Sequence, residues 1–281
     1  MSFEPEKLGQ SRSDLAEALR RERKRAGHTQ TWLAKRCNMS QTKVSNIEGG
    51  KLTPTIVDVE LILEALQAHG KLASEILALA RTANTEWQDD WSSLRRGLDK
   101  KQNELSRLEG VTQEFRYFLP TMITGLLATP EYIRASVSRN SGDMSKTVAK
   151  KVERQRILLD DSKRFTFLLT EQAVRWPLVK PVAMAMQLDH LASVSRLPNV
   201  RLGVIPLGLT PIVETPLNVF TLYDRRLATV ETGTGALILR DHRDVNAYRE
   251  DFNRYEQHAL FGDVCRARLS EWVEIFTRQR Q

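Results

Sequence analysis

Two short amphipathic segments, separated by a polar turn, stand out in the hydrophobic pattern of residues 29–50. In the first, Leu33 and Cys37 recur at helical spacing behind Thr29, a residue type that caps helix N-termini. In the second, Val44 and Ile47 form the apolar stripe. The pattern predicts two consecutive helices that share one small core.

The residues at the turn indicate how the two helices are joined. Asn38 tolerates the left-handed conformation that ends a helix, and Met39 supplies an apolar side chain for the core. Ser40 is a good N-cap for the second helix, and Gly49 and Gly50 end it. This order predicts a helix-turn-helix.

The second helix turns an almost wholly polar face outward. Amide side chains bond adenine in bidentate fashion, threonine contacts a thymine methyl, and lysine meets guanine or phosphate. A solvated face of a small helical bundle is the alternative, but the agreement of caps, turn and glycine stop favours a DNA recognition helix. The outward residues are Gln41, Thr42, Lys43, Ser45 and Asn46.

Charge supports the same interpretation. The chain of 281 residues has a net charge of +7, and residues 12–53 hold ten lysines and arginines against four acids, an excess of six. The positive charge is therefore concentrated on the predicted helix-turn-helix, as binding to DNA phosphates requires.

The composition is that of a globular protein, with no apolar run long enough for a membrane span and no signal peptide at the start. We therefore expect a cytoplasmic protein that does not enter a membrane. Cys37 and Cys265 lie far apart in sequence, so we expect two core thiols rather than a disulfide or a zinc site.

The fold class predicted from the whole chain is α followed by α/β. Residues 1–11 form a polar arm, and residues 12–83 form a five-helix helix-turn-helix domain whose first helix, Asp14–Ala26, is capped by Ser13. A connector, residues 84–97, carries Trp87 and Trp91 at helical i, i+4 spacing, suited to the core, an interdomain contact or a dimer surface.

Residues 98–281 are predicted to form a mixed α/β domain with a five- or six-stranded sheet. Strands are expected at Val111–Tyr117, Phe165–Leu169, Val200–Val204, Asn218–Tyr223, Leu227–Glu231 and Ala236–Leu239. Helices are expected at Leu98–Glu109, Glu131–Val137, Thr147–Leu159, Pro181–Leu197, Val245–Ala259 and Asp263–Arg278.

The N-terminal motifs L-R-R-E-R-K-R-A-G-H-T-Q (Leu19–Gln30), V-S-N-I-E-G-G (Val44–Gly50) and the following P-T resemble the Xre/Cro-type helix-turn-helix of phage repressors. The resemblance implies that Gln30 contacts a phosphate and that Gln41 and Thr42 meet base edges, with Asn46 one turn later. It also implies DNA-backbone contacts by Lys43 and Lys51.

The remainder resembles the domain that accompanies such helices in actinobacterial regulators of the Scr1 antitoxin-like and WhiJ-like group. The motifs include G-L-L-A-T-P-E-Y-I-R-A (Gly125–Ala135), T-E-Q-A-V-R-W (Thr170–Trp176) and V-R-L-G-V-I-P (Val200–Pro206), with departures at Thr124 and Ala128. The resemblance implies transcriptional control, often beside small partner proteins.

No catalytic motif accompanies these features, so we expect no enzyme activity, no cofactor and no metal. The segment Phe252–Leu260 faintly resembles phospholipase-D-like domains, whose catalysis needs H-x-K pairs, and the sole formal match, His69-Gly70-Lys71, is expected in a solvated turn. His190 and Glu171 suit either a pocket or ordinary polar packing, and Arg175-Trp176 suits either an anion site or a helix anchor.

The sequence therefore predicts a DNA-binding transcriptional regulator, with repression favoured over activation, that acts as a homodimer on a palindromic operator. Its second domain is expected to modulate DNA affinity through a small protein partner or an effector. An antitoxin-like protein that holds a small partner and regulates its own operon is the alternative, and an enzyme carried on a DNA-binding module is another.

Overall fold

The computed structural model describes residues 7–89, 108–138, 144–208, 212, 215–232 and 235–278, with backbone only at 7–11 and 86–89. The chain divides into two compact units. The first comprises Met1–Asp89 and Gly235–Val245, and the second comprises Asp90–Thr234 and Asn246–Gln281. Within the described ranges, no helix combines the length and apolar character that crossing a bilayer requires.

Elements are numbered here in chain order. The helices are α1 (Lys7–Arg25), α2 (Gln30–Arg36), α3 (Gln41–Glu48), α4 (Ile56–Ala65), α5 (Gly70–Ala83), α6 (Pro130–Ser136), α7 (Ser145–Arg154), α8 (Glu171–Arg175), α9 (Pro181–Val194), α10 (His242–Glu256) and α11 (Gly262–Arg278). The strands are β1 (Thr85–Asp89), β2 (Glu114–Leu119), β3 (Arg164–Thr170), β4 (Val200–Ile205), β5 (Val219–Tyr223), β6 (Leu227–Glu231), β7 (Gly235–Leu239) and β8 (Leu260–Phe261).

The described part of the first unit contains five helices around one apolar core, which confirms the predicted five-helix fold. Leu19 of α1, Leu33 of α2, Ile47 of α3 and Ile62 of α4 are buried together there. The fifth helix contributes Ala80. Small and branched side chains from every helix therefore meet in one cluster, which holds α2 and α3 in a fixed relation.

Two predictions for the first unit are wrong. The first helix begins at Lys7 rather than Asp14, so residues 7–11 are helical rather than an arm and Ser13 lies inside the helix instead of capping it. Trp87 lies in strand β1, not on a helix, because β1 pairs antiparallel with β7, from Thr85 opposite Leu239 to Asp89 opposite Gly235. Trp91, residues 1–6 and residues 98–107 lie outside the described residues.

The described part of the second unit contains six strands in the order β6-β5-β2-β3-β4-β8, which confirms the predicted mixed sheet. The strand predicted at Ala236–Leu239 is instead β7 of the first unit, and β8 was not predicted. Strands β2, β3 and β4 are parallel, and the other pairs in this order are antiparallel. Phe115 and Tyr117 of β2 stand opposite Phe165 and Phe167 of β3, and each pair of rings stacks at 4.8 Å between centroids.

One strand of this sheet begins later than predicted, and one glycine within it has a structural reason. Strand β2 begins at Glu114 instead of Val111, whose side chain is 70% exposed. Strand β4 includes Gly203, which sequence pattern alone did not explain. A Cβ at Gly203 would lie 2.5 Å from the ring of Phe261, so glycine is needed for β8 to approach β4.

Candidate nucleic-acid interface

Helix α3 buries its apolar stripe and turns its polar face outward, as its sequence predicts. The hydroxyl of Ser40 accepts a hydrogen bond from the Lys43 amide (3.1 Å), so the predicted N-cap is confirmed. Val44 and Ile47 are fully buried beneath the helix. Two outward residues, Gln41 and Thr42, are exposed, and three, Lys43, Ser45 and Asn46, are half-buried.

The turn before α3 has the backbone geometry that its sequence predicts. Asn38 adopts a left-handed conformation (φ 53°), which ends α2, and Met39 packs against the core of the first unit. Thr29 caps α2 by accepting a hydrogen bond from the Trp32 amide (3.1 Å). The two helices are therefore joined by a short turn of defined shape.

A row of hydrogen-bonded side chains links helices α1, α2 and α3. The guanidinium of Arg23 donates to both carboxylate oxygens of Glu48, with Nε at 2.6 Å and Nη2 at 2.8 Å. Gln30 Nε2 donates to Glu48 Oε2 (2.9 Å), and Gln41 Nε2 donates to Gln30 Oε1 (3.2 Å). The row runs from a buried ion pair to an exposed amide, which is thereby held in one orientation.

The ion pair inside this row is buried and fully hydrogen-bonded. The side chain of Glu48 is 3% exposed and that of Arg23 is 10% exposed. Burial by itself raises the pKa of Glu48, but the hydrogen bonds from Arg23 and Gln30 outweigh it and leave the pKa below its ordinary value. The hydrogen bond to Glu48 likewise raises the pKa of Arg23.

The sequence pattern predicts Gln30 and Gln41 as site residues but not Arg23 and Glu48, which support them. One signal was present in the sequence: Glu48 lies four residues after Val44 and therefore falls on the buried stripe of α3. A buried acid needs a cationic partner, and its position on the inward stripe indicates that the partner belongs to another helix.

The structure places the two predicted lysines in different surroundings. Lys43 Nζ pairs with Asp58 Oδ1 at 2.7 Å, and Asp58 also forms the capping box of α4 with Thr55. Lys51 is exposed on the loop between α3 and α4, and its side chain has no ion-pair partner in the described part of the chain. Lys51 is therefore the freer of the two cations for a phosphate.

The loop that carries Lys51 folds back onto the end of α3. The carbonyl of Asn46 accepts hydrogen bonds from the amides of Lys51 (2.9 Å) and Leu52 (3.1 Å). Gly50, directly before Lys51, has a left-handed backbone conformation (φ 67°), which would be strained for a residue with a side chain. The backbone of Asn46 thus shapes the loop, while its side chain belongs to the outward face.

An open groove of about 670 Å³ runs between α1 and the end of α3. Arg20, Arg21 and Lys24 line one side together with the exposed acid Glu17, and Gly49 and Gly50 lie on the other. All three cations are exposed, and in the described ranges none has an acidic partner. The groove therefore continues the positive surface from Lys51 onto α1.

The sequence falls within two known families of domains. Residues 102–271 match the family described as "Domain of unknown function (DUF5753)". The chain belongs to the DUF5753 family. Residues 14–76 match the family described as "Helix-turn-helix domain", so the first unit carries a helix-turn-helix DNA-binding domain. No curated protein matches the sequence.

Two solved structures resemble the chain at low similarity. One is a phospholipase D family member, Nuc from Salmonella typhimurium, with 9% identity, a TM-score of 0.31, and coverage of 56% of this chain and 87% of that chain. The other is TrmBL2, an archaeal chromatin protein with a novel mode of DNA binding, with 14% identity, a TM-score of 0.33, and coverage of 72% and 65%. At these scores neither likeness carries an argument about fold or function.

The polar residues predicted in the DUF5753 domain are engaged in local contacts. Glu171 accepts the Leu207 amide (2.9 Å) and pairs with Arg175 (2.5 Å). His190 is half-buried, and burial lowers its pKa. Among the described residues, no hydrogen bond joins His190 to Glu171, and no group of three or more histidine, cysteine, aspartate or glutamate side chains is placed to hold a metal ion.

A buried polar cluster in the DUF5753 domain was not predicted. Arg154 pairs with Glu109, and Lys163 Nζ donates to the carbonyls of Glu109 (2.8 Å) and Thr112 (2.8 Å). These contacts fix the turn that leads into β2. The hydroxyl of Tyr117 is buried and finds no hydrogen-bond partner among the residues that the structure describes, and burial raises its pKa well above the ordinary value.

The other predicted residues lie apart from these clusters. His69 and Lys71 flank the start of α5, both exposed, with Lys71 beside Glu75 at 3.9 Å. Cys37 is buried in the first unit and Cys265 in the second, each as a free thiol. Burial raises the pKa of Cys265 to about 11, so this thiol is protonated at neutral pH.

Proposed function

We propose that the protein is a sequence-specific transcriptional regulator of the Xre/Cro type, which reads DNA through α3. The observation that supports this most is the hydrogen-bonded row from Arg23 through Glu48 and Gln30 to Gln41. The row presents the Gln41 amide, already oriented, on the exposed first turn of α3. An oriented amide at this place suits a base edge in the major groove.

Base reading is assigned to the outward side chains near the N-terminus of α3. Gln41 bonds adenine in bidentate fashion, Thr42 contacts a thymine methyl, and Asn46 acts one turn later. The hydroxyl of Ser45 can donate or accept a hydrogen bond at a base edge. Gln30, which already bonds Gln41, is assigned to a phosphate beside the bases, and Lys43 contributes less because Asp58 neutralises it.

Phosphate binding is assigned to Lys51 and to the cations of the α1 groove. Lys51 and the side chains of Arg20, Arg21 and Lys24 are exposed on one unit that is rich in positive charge. Each phosphate that such a side chain neutralises releases condensed counterions, which makes affinity dependent on salt.

Replacing Arg20 and Lys24 with alanine together is expected to weaken binding to every DNA sequence. The slope of log K against log salt should fall in magnitude by about 2, since each lost phosphate contact removes about 0.9. The measurement is fluorescence anisotropy with a labelled duplex over a range of salt. Lys71→Ala is the matched control, because Lys71 is 92% exposed on α5, away from the groove. A slope that the double variant leaves unchanged contradicts the assignment of the groove.

We further propose that the protein binds as a homodimer on a palindromic operator. One helix-turn-helix reads only a few base pairs, and two half-sites about one helical turn apart supply the specificity that a regulator requires. The dimer surface is not assigned to Trp87 and Trp91, since Trp87 lies in strand β1.

Capture of genomic DNA by the purified protein tests both proposals. The recovered fragments are expected to share one motif, arranged as an inverted repeat, and light scattering of the complex is expected to give two chains for each operator. Fragments without a common motif contradict sequence-specific reading. Monomers alone, both with and without the recovered DNA, contradict the homodimer.

For the DUF5753 domain we propose a regulatory role, without catalysis, in a protein that represses transcription. The protein would have two conformations with different affinity for DNA. A small protein partner or an effector would change DNA affinity by binding one of these conformations better than the other. The resemblance to Scr1 antitoxin-like regulators supports a protein partner, and co-purification of a small protein would favour the antitoxin-like alternative.

A further inference from the structure

A segment of the DUF5753 match belongs structurally to the helix-turn-helix unit. The family match spans residues 102–271, yet Gly235–Val245 is part of the first compact unit. Its strand β7 pairs with β1, residue by residue, over the whole of Thr85–Asp89. A unit defined by residues 14–76 alone would therefore lack a strand that the folded unit contains.

Asn84 is the residue where this segment meets the helices. Its side-chain amide donates to the carbonyl of Pro54 (2.9 Å) and to that of Ala80 (2.9 Å). Its own backbone carbonyl accepts a hydrogen bond from the Arg240 amide (3.2 Å). Asn84 is 5% exposed, so both protons of its amide are used within the protein. One buried residue thus joins three separate stretches of chain.

The loop that Asn84 holds is the one that carries Lys51. Pro54 lies three residues after Lys51 and directly before Thr55, which caps α4 together with Asp58. Asp58 in turn pairs with Lys43 of the recognition helix at 2.7 Å. The loop is therefore fixed at Pro54 by Asn84 and, just beyond, by the contact between Asp58 and α3.

The segment Gly235–Val245 also contacts helix α4, beyond the loop. Arg243 pairs with Glu60 of α4 (3.7 Å) and with Asp241 (3.4 Å). Asp241 is 5% exposed and accepts the backbone amide of Arg243 (3.0 Å), so the turn after β7 has a defined shape. These contacts all lie in the first unit. The segment therefore contacts Asn84 through Arg240 and helix α4 through Arg243.

We propose that Asn84 is a positioning residue for DNA binding and that Gly235–Val245, here called the clamp, completes the DNA-binding unit by fixing the loop that presents Lys51. This inference rests on the proposed DNA-binding function. The chain on both sides of the clamp belongs to the second unit. A change in the DUF5753 domain would therefore reach the clamp along the polypeptide chain and alter DNA affinity.

Asn84→Ala in the full chain tests the clamp without DNA. Amide hydrogen exchange of Lys51 and Leu52, whose amides donate to Asn46, is expected to become faster because the loop loses its anchor at Pro54. Ile76→Val, a truncation in the same core that leaves Asn84 intact, is the matched control. Exchange that is equally fast in both variants, at equal loss of thermal stability, overturns the proposal.

A double-mutant cycle with Lys51→Ala tests the consequence for DNA, using a labelled duplex of a captured sequence. Asn84→Ala is expected to weaken binding roughly five- to tenfold, which is less than the full loss of one hydrogen bond to a charged group, since Lys51 keeps its charge. Lys51→Ala should then cost less in the Asn84→Ala background than in the native protein. Independent, multiplying effects overturn the positioning role.

The two arms separate failure of the clamp from failure of the proposed function. Faster exchange in a protein that binds no DNA keeps the clamp and rejects DNA binding, whereas unchanged exchange in a protein that binds DNA rejects the clamp. If Asn84→Ala does not fold, Arg243→Ala replaces it, since that side chain is partly exposed. Faster exchange of the Arg240 amide and of the loop amides is then expected, and unchanged exchange overturns the proposal.

Discussion

Replacing Glu48 with alanine is expected to destabilise the helix-turn-helix unit by about 3–5 kcal/mol, the usual effect of removing one partner of a buried ion pair. The variant leaves the guanidinium of Arg23 in a site where it is only 10% exposed, without its carboxylate. It also removes the acceptor that holds Gln30 and, through Gln30, Gln41. Such a loss is a large part of the total stability of an ordinary domain.

Thermal unfolding combined with amide exchange in α1–α3 measures this loss. Glu17→Ala is the matched control, because Glu17 is an exposed acid of α1, and surface substitutions of this kind usually change stability by less than about 0.5 kcal/mol. Equal losses in the two variants contradict a structural role for the pair.

The same pair gives the unit a defined response to acid. The pKa of Glu48 is lower in the folded protein than in the unfolded chain, so its contribution to stability is complete above the unfolded pKa and is lost as pH falls through the lower, folded pKa. Glu48→Gln, which keeps the shape but does not titrate, is expected to flatten this acid limb of the stability curve. Parallel curves for the two proteins between pH 3 and 7 contradict the assignment to Glu48.

Local signals in the sequence were enough to predict the helix-turn-helix. Thr29 and Ser40 cap α2 and α3, and Asn38 is left-handed, because caps and tight turns depend on residues within about three positions. The same holds for a short buried strand of the second unit, Leu227–Glu231, where prediction and structure agree to the residue.

What the sequence left out depends on contacts between distant residues. Strand β1 forms because residues 85–89 pair with residues 235–239, about 150 positions later, and the helical spacing of Trp87 and Trp91 gave no sign of this. The carboxylate of Glu48 meets Arg23 of α1, 25 positions away, and the side chain of Asn84 meets Pro54, 30 positions away. The outward face of α3 was predictable, whereas the network that orients it was not.

The local and distant contacts have different consequences for DNA. The caps and the buried stripe make α3 a helix with a polar outer face. They do not require particular polar residues on that face. The row from Arg23 to Gln41 decides the direction of one amide, which is the kind of constraint that base recognition needs. In the proposed function, the site therefore depends on both, and specificity depends mainly on the distant contacts.

Replacing Gln41 with alanine is expected to weaken binding to the operator by about 1–3 kcal/mol and to relax the preference at one base pair, with little change on random DNA. Gln41 is exposed, and its one described side-chain contact is to Gln30, so the loss is one of base recognition rather than of folding. Lys51→Ala, in contrast, is expected to weaken operator and random DNA alike and to lower the salt slope by about 1.

Competition between an operator duplex and random duplexes, measured for each variant at one salt concentration, distinguishes these two roles. Gln257→Ala is the matched control, since it removes an exposed glutamine from the second unit without touching α3. Because Gln30 holds the Gln41 amide in place, Gln30→Ala should reproduce part of the lost specificity of Gln41→Ala, and the two effects should not add. Equal losses on operator and random DNA for Gln41→Ala remove this residue from base reading and leave α3 as a backbone-binding helix.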